Sequence, residues 1–268
     1  MKYDYKIKND FEIVYNNLNQ NMAKLSDFFK ITKTTAYKYA KRFGLKKDSK
    51  INTGIRHSVN KNYFKKIDSE EKAYWLGFLM ADGCIYKGSD QYSYRLQINL
   101  SIKDIDILER FKLDIESTHP IVEKSVFNKT TGKEYKTVTL KINSTDLCRD
   151  LIINGIVENK TYSCAVPNIK KSLIRHFIRG FFDGDGCLSL LKNNKAHFSI
   201  VGCADILNDF HKIFKENNIL TRIYDINHSS AKSIETSSKK EIQKIYKFLY
   251  NNSKISLKRK KDKFEKII

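Results

Sequence analysis

A short apolar stretch that ends on Asp-Gly occurs twice in the chain. WLGFLMADGCIY at residues 75–86 is answered by IRGFFDGDGCLSL at residues 178–190. Each copy is followed by two strand-like segments, a helix that opens on the letters DIL, two more strand-like segments and a further helix. We therefore predict an α+β protein with two pseudo-symmetric αββαββα repeats, over residues 68–170 and 171–268.

Glycines inside the two predicted motif helices indicate close helix packing. Gly77 and Ala81 lie four residues apart on one face of the first helix, and a Gly-xxx-Gly pair that begins at Gly180 repeats this spacing in the second. A glycine inside a helix lowers stability by about 0.5–1 kcal/mol relative to alanine. Its presence in both copies therefore indicates that close packing requires it. We predict that the helices cross at these glycines and bring Asp82 and Asp185 side by side.

An acidic residue in the last turn of each motif helix is unfavourable by itself. A helix C-terminus carries partial negative charge, which destabilises a carboxylate there by about 0.3–1 kcal/mol. Two such carboxylates repel each other unless they share a proton or a cation lies between them. Mg²⁺ takes oxygen ligands and keeps water and phosphate oxygens in its shell, which suits hydrolysis of a phosphodiester. Either Asp-Gly alone would indicate an ordinary helix-ending turn, but the pair predicts Asp82 and Asp185 as metal ligands.

The charge balance indicates a polyanionic partner. The chain has 50 Lys and Arg against 30 Asp and Glu, a net charge of +20, with the basic residues spread along its length. This excess of positive charge is typical of a nucleic-acid-binding protein. A genome biased towards Lys codons, or binding to an anionic membrane surface, would be alternative explanations.

The longest apolar runs fall far short of ~20 residues, so we expect no membrane span. The five cysteines form no C-x-x-C pair, and we expect reduced thiols in a cytosolic protein.

We predict that residues 1–50 form a helix-turn-helix arm that contacts DNA, and that residues 51–67 form a linker. Two short amphipathic stretches, MAKLSDFFK and TTAYKYAKRFGL, flank a turn, and Gly44 is placed to end the second helix. The face that does not pack inward carries side chains suited to phosphates and base edges in a major groove. These are Lys33, Thr34, Thr35, Lys38, Lys41 and Arg42. A three-helix bundle with a solvated basic face is the alternative.

Alternating strands in both repeats predict surfaces that read DNA bases. In YRLQINLSI, apolar residues point one way while Arg95, Gln97 and Asn99 point the other, and these side chains can form bidentate hydrogen bonds to guanine or adenine. A polar, solvated sheet face is the alternative at each position. The full set of predicted sheet contacts is Arg95, Gln97, Asn99 and Lys141 in the first repeat, and Lys192, Lys195, His197 and Arg222 in the second.

The two motif stretches resemble the LAGLIDADG motifs of homing endonucleases, and the resemblance reaches from about residue 63 to the end of the chain. Two copies in one chain match the monomeric, pseudo-symmetric form of that family, and the arm ahead of them looks most like phage and intron-encoded members. In the family the eighth motif position is the metal-binding acid, which falls on Asp82 and Asp185. The seventh lends a backbone carbonyl, which falls on Ala81 and Gly184.

The resemblance also implies a basic residue near each metal site. Lys160 is the candidate in the first repeat, and the run SLKRKKDKF offers Lys258 or Lys260 in the second. The same run could instead be a phosphate clamp or a solvated tail. Such a lysine would polarise the attacking water or stabilise charge on the phosphate. The first copy departs from the family pattern at the sixth position, where it has Met80 and the second copy has Asp183.

The resemblance therefore implies a site-specific homing endonuclease that makes a metal-dependent double-strand break in a long DNA target. It would act as a monomer, with two sheets forming a saddle in the major groove, and with Mg²⁺ as cofactor or Mn²⁺ in its place. We expect it in the cytoplasm of a bacterial or phage-infected cell, with an organelle as the alternative. An RNA maturase that holds intron RNA, or a DNA-binding regulator without cleavage, is the rival on the same scaffold. Because binding alone does not need both acids, Asp82 and Asp185 favour the enzyme.

Overall fold

The computed structural model describes residues 5–18, 21–45, 57–88, 92–128, 130, 132–156, 165–191, 195–226 and 229–267. The chain divides into two compact units, residues 1–56 and 57–268. In the described parts of the chain, no helix combines the length and the apolar character needed to cross a membrane.

The described residues of the N-terminal unit form three helices: α1 (Tyr5–Asn17), α2 (Met22–Phe28) and α3 (Lys33–Arg42). The Asn21 side chain accepts hydrogen bonds from the first backbone N–H groups of α2, and the Thr32 hydroxyl accepts one from α3. Such caps satisfy donors that a helix leaves unpaired at its start. Gly44 follows α3 with a φ of +71°, where glycine is favoured. A small apolar core holds the three helices together, formed by Phe11, Tyr15, Leu25, Ala36 and Ala40.

The helices and strands of the second unit follow the predicted order twice. The first repeat contains α4 (Glu70–Asp82), β1 (Gly83–Lys87), β2 (Tyr94–Ser101), α5 (Ile105–Asp114), β3 (Ile121–Asn128), β4 (Lys133–Asn143) and α6 (Thr145–Ile153). The second contains α7 (Lys171–Asp185), β5 (Gly186–Leu190), β6 (Ala196–Gly202), α8 (Ala204–Glu216), β7 (Arg222–Asp225), β8 (Lys232–Thr236), α9 (Lys239–Tyr250) and a further helix, α10 (Lys258–Glu265). The predicted α+β fold with two αββαββα repeats is confirmed.

Each repeat forms one four-stranded antiparallel sheet, and the two sheets have equivalent strand orders. These are β1-β2-β4-β3 and β5-β6-β8-β7. Alternation decides which face is buried: in β2, Leu96 and Ile98 are buried while Asn99 and Ser101 are exposed. The apolar faces join one continuous core with the helices, which leaves the polar faces of both sheets open.

The segment before α4 differs from the predicted linker. Residues 57–67 belong to the second unit, and Tyr63, Phe64 and Ile67 are part of its buried core. The Phe64 ring lies 6.5 Å from that of Phe111 on α5. The segment shows no strand or helix periodicity, so the sequence alone did not indicate that its apolar side chains fill a gap in the core.

The two motif helices, α4 and α7, cross at their glycines. A Cβ built on Gly77 would overlap the backbone carbonyl of Phe177, and a Cβ built on Gly180 would overlap that of Tyr74. The obstacle on both sides is backbone, which cannot rotate away as a side chain can. Only glycine therefore permits this approach, and the crossing sets the separation of the helix ends at Asp82 and Asp185.

We expect Gly180→Ala to destabilise the protein by about 3 kcal/mol or more, because the added methyl group meets backbone at the helix crossing. The matched control is Gly202→Ala, where the nearest atom to an added Cβ is a side-chain carbon at 3.4 Å. Thermal unfolding followed by circular dichroism measures both. A Gly180→Ala variant that melts with the Gly202→Ala control would show that the helices need no glycine at the crossing.

Candidate active site

The helix crossing places the Asp82 carboxylate against the C-terminal end of α7. A Cβ built on Gly184 would lie 3.2 Å from Asp82 Oδ2 and would overlap the Cβ of Ala81. The Asp82 carboxylate therefore uses space that the missing side chain of Gly184 leaves, beside the residue that precedes Asp185. Asp82 is half-buried and Asp185 is exposed. The two predicted metal ligands thus lie at adjoining helix ends that face solvent at least in part.

The oxygen donors at these helix ends fit a hard divalent cation. Asp82 and Asp185 end adjoining helices whose C-termini already make the potential negative, and the space beside Gly184 would be filled by any larger residue. Across the described part of the chain, no cluster of three or more His, Cys, Asp or Glu side chains could hold a metal by itself. Two carboxylates leave most of an octahedral Mg²⁺ shell to backbone carbonyls, water and phosphate oxygens. The roles of the Ala81 and Gly184 carbonyls stay predictions.

Lys260 caps the C-terminal end of α7. Its Nζ donates hydrogen bonds to the carbonyl oxygens of Phe182, at 2.8 Å, and Gly184, at 2.7 Å. A cation suits this position because these carbonyls carry the negative end of the helix dipole. The side chain is only 5% exposed, and this burial lowers the pKa of Lys260 to about 8, while Asp183, Asp82 and Asp185 act in the opposite direction. A positive group therefore stands next to the paired acids.

Lys258 is engaged elsewhere. Its Nζ lies 2.7 Å from Asp262 Oδ2, one turn along α10, and 84% of its side chain is exposed. Of the two lysines that the sequence offered in the second repeat, the structure brings only Lys260 to the end of α7. Lys160, the candidate in the first repeat, lies outside the described residues.

Asp183, which the sequence marked only as a difference between the two motifs, is buried and hydrogen-bonded. It is 1% exposed and accepts from the hydroxyls of Tyr74 and Tyr250 and from the backbone N–H of Leu257. Burial raises the pKa of Asp183, and these hydrogen bonds oppose that rise. The sequence indicated neither this burial nor these partners.

The predicted contacts of the first repeat line the open face of its sheet. The register pairs Gln97 with Lys141 and Asn99 with Thr139. The Thr139 hydroxyl donates to Asn99 Oδ1 at 2.8 Å, which orients the Asn99 amide. The face therefore presents a lysine beside two carboxamides, which are groups able to hydrogen-bond base edges.

Arg95 lies on the same face and packs on an aromatic ring. Its guanidinium carbon is 5.4 Å from the centroid of the Tyr86 ring on β1. Its Nε atom is buried and makes no hydrogen bond to the described residues. The stacked guanidinium is thus partly desolvated before any partner binds, which strengthens its interaction with a planar acceptor.

The second sheet presents a different mixture of groups. His197 and Arg222 lie on its open face, and each neighbours Glu235 of β8, since His197 Nε2 is 3.3 Å from Glu235 Oε2 and Arg222 pairs with Glu235 in the register. The sequence did not predict this acid. Lys195 is exposed just before β6, and Lys192 lies outside the described residues.

The predicted contact residues of the N-terminal unit lie mostly on one exposed side of α3. Thr35 is half-buried, and its hydroxyl lies 2.9 Å from that of the capping residue Thr32. The exposed members are Lys33, Thr34, Lys38, Lys41 and Arg42. The helix therefore offers a basic surface, and its use as a DNA-reading helix stays a prediction.

Comparisons with known proteins support the fold and the motif. Residues 172–261 match the family model described as a LAGLIDADG-like domain. The solved structure of the I-SmaMI LAGLIDADG homing endonuclease bound to cleaved DNA is similar, with a TM-score of 0.50 and 15% identity over 75% of this chain and 88% of that one. The LAGLIDADG meganuclease I-AabMI bound to uncleaved DNA gives a TM-score of 0.48 and 16% identity over 72% and 88%. A search of curated proteins finds no match.

The repeated motif and the doubled topology give two similar repeats in one chain, and the family match lies within the second repeat. The fold of the chain is similar to that of the I-SmaMI LAGLIDADG homing endonuclease.

We expect Mg²⁺ to raise the melting temperature of the protein through Asp82 and Asp185. At a cation concentration ten times the dissociation constant, the added stability is about 1.4 kcal/mol. Asp185→Asn should lose most of this response, because it removes one of two charged ligands. Asp262→Asn is the matched control, since Asp262 pairs with Lys258 on α10. Equal responses of the two variants in a thermal titration with Mg²⁺, repeated with Mn²⁺, would place the bound cation elsewhere.

Proposed function

We propose that this protein is a site-specific DNA endonuclease that makes a Mg²⁺-dependent double-strand break in a long target. The observation that carries the proposal is the placement of the Asp82 carboxylate of the first repeat at the end of α7, which bears Asp185 of the second repeat, beside a buried ammonium group. The family match and the similarity to the I-SmaMI homing endonuclease support it. A protein that only bound nucleic acid would have no need to bring two negative groups together at negative helix ends.

Asp82 and Asp185 would hold the divalent cation, which supplies charge neutralisation at the scissile phosphate and activation of the attacking water when bound. The half-buried Asp82 carboxylate lies beside Gly184, at the end of the helix that bears Asp185. Lys260 presents a hydrogen-bond donor and a positive charge next to these acids. It would stabilise the negative charge that builds on the phosphate oxygens during cleavage.

The two open sheet faces would lie along the major groove and select the target. Each face belongs to one repeat, so the pseudo-twofold arrangement gives one face and one acid to each half of a DNA site. The first face offers Arg95, Gln97 and Lys141, whereas the second combines His197 and Arg222 with Glu235. Because the groups differ, we propose that the two half-sites differ in sequence. The net charge of +20 would supply the non-specific part of the affinity.

The N-terminal unit would add contacts outside the region covered by the sheets. The exposed side of α3 carries basic and hydroxyl side chains, which suit phosphates and base edges. We propose that this unit binds the flank of the target and does not set the position of the cut.

We expect Asp82→Asn and Asp185→Asn each to abolish double-strand cleavage while leaving DNA affinity within a small factor. Each change replaces a charged ligand by a neutral group of the same shape, away from the sheet faces. A library of DNA sites incubated with the protein and Mg²⁺, followed by sequencing of the ends, first identifies the target. Wild-type cutting rates in either variant would show that these acids are not the metal ligands.

A second expectation concerns Lys260. Lys260→Ala should lower the cleavage rate by about a hundredfold, because a positioned donor next to the phosphate is removed. Lys258→Ala is the control, because that side chain is bound to Asp262 and is exposed. Single-turnover cleavage of the identified target measures both, and similar losses in the two variants would mean that the basic run acts as a whole, as a phosphate clamp.

Deletion of residues 1–56 should weaken DNA binding and lower the slope of log affinity against log salt by about 0.9 for each phosphate that this unit neutralises. The ends of the product should stay the same, because the acids and both sheets remain. Binding titrations at several salt concentrations and sequencing of the ends decide this. A shifted cut would mean that the unit sets register, and an unchanged slope would mean that it does not touch DNA.

A further inference from the structure

One face of α7 is polar and buried where the equivalent face of α4 is apolar. When Gly77 is aligned with Gly180, three buried positions change character between the repeats. The pairs are Ala73 with His176, Leu76 with Arg179, and Met80 with Asp183. These positions are three and four residues apart, so they lie on one side of the helix. Burial of polar groups is unfavourable unless each is hydrogen-bonded, so this face must have partners that the first repeat does not need.

The Asp183 carboxylate joins three elements at one point. Oδ1 accepts from the Tyr250 hydroxyl, at 2.6 Å, where α9 ends. Oδ2 accepts from the Tyr74 hydroxyl of α4, at 2.9 Å, and from the backbone N–H of Leu257, at 2.7 Å. Tyr74 belongs to the first repeat, and Leu257 immediately precedes α10. Both carboxylate oxygens are therefore used to tie the start of α10 to the helix crossing.

The same short stretch of α10 returns to α7 through Lys260. Lys260 lies three residues after Leu257, and its backbone N–H donates to the Leu257 carbonyl in the first turn of the helix. Its Nζ then donates to the carbonyls of Phe182 and Gly184, the residues on either side of Asp183. The chain thus closes a small loop in which Asp183 holds the start of α10 and Lys260 holds the end of α7.

Arg179 fixes the segment that leads into this loop. It is fully buried, and it donates to the carbonyls of Leu249 and Ile255 and to the carboxylate of Glu70. Glu70 begins α4 and also accepts from the backbone N–H of Lys254. The connection between α9 and α10 is therefore bound along its length to both motif helices.

We propose that Asp183 is a positioning residue that sets Lys260 at the paired acids. Met80 stands at the equivalent place in the first repeat. The thioether of Met80 is at most a weak hydrogen-bond acceptor, and it lies near Gly155 beyond α6. This inference rests on the proposed endonuclease function for its kinetic consequence. The placement of Lys260 itself can be measured without DNA or metal.

The first experiment measures that placement by amine acetylation and mass spectrometry on the protein alone. In the wild-type chain Lys260 should react much more slowly than Lys258, the exposed lysine two residues earlier. In Asp183→Met, which installs the residue of the first repeat, the rate at Lys260 relative to Lys258 should rise about tenfold, because the start of α10 is released. Met80→Leu is the matched control at the equivalent position and should leave the ratio unchanged.

A milder variant keeps the test decisive if Asp183→Met does not fold. Tyr250→Phe removes one donor to Asp183 and keeps the ring in place, so the Lys260 ratio should rise by a smaller factor. Melting curves establish which variants are folded. A folded Asp183→Met with the wild-type ratio overturns the proposal, and if that variant does not fold, a folded Tyr250→Phe with the wild-type ratio does so.

The second experiment follows the two DNA strands separately, with a different label on each, under single-turnover conditions. Asp183→Met should slow cleavage by roughly tenfold to a hundredfold, in the same strand pattern as Lys260→Ala and with unchanged DNA affinity. In the Lys260→Ala background the additional effect of Asp183→Met should stay within about twofold, because both act through one group. Additive losses, or a different strand pattern, would overturn the proposal. A wild-type chain that cuts no DNA would refute the proposed function, while the acetylation ratio would still decide the placement of Lys260.

Discussion

The close backbone contact between α4 and α7 determines where the two acids lie and where the two sheets of the second unit begin. Two helices approach so closely at Gly77 and Gly180 that a methyl group on either would overlap the other's backbone. Because β1 and β5 start directly after Asp82 and Asp185, the crossing also sets where both sheets begin. The spacing of the acids and the placement of the open faces therefore follow from the absence of two side chains.

Negative and positive groups lie close together where the two motif helices end. Two helix C-termini and two carboxylates create a negative region, which favours cations strongly and disfavours each acid by itself. The Lys260 ammonium group supplies part of the compensation through the carbonyls of Phe182 and Gly184. The region still offers carboxylate oxygens for a divalent ion. Its negative potential can therefore stabilise both the Lys260 ammonium group and a bound cation.

The sequence predicted the topology well because both signals behind it are local. Period-two alternation gave the strands, and paired glycines gave the crossing that the structure shows at Gly77 and Gly180. The choice between Lys258 and Lys260 depended on how α10 packs on α7, and the run KRKKDKFE contains only one apolar residue to orient it. The role of Asp183 could not be predicted, because the sequence showed only that the two motifs differ at this position. Its partners are 109, 67 and 74 residues away.

The unequal faces of α4 and α7 limit how the two halves of the chain could be rearranged. A chimera built from two first repeats would bring together two apolar faces and would lack the carboxylate that receives Leu257. A chimera of two second repeats would bury a second Arg179 at the crossing, with Leu173 in place of the Glu70 carboxylate that now neutralises it. The two copies have therefore diverged into complementary partners, and neither half of this chain should work as a symmetric homodimer without compensating changes.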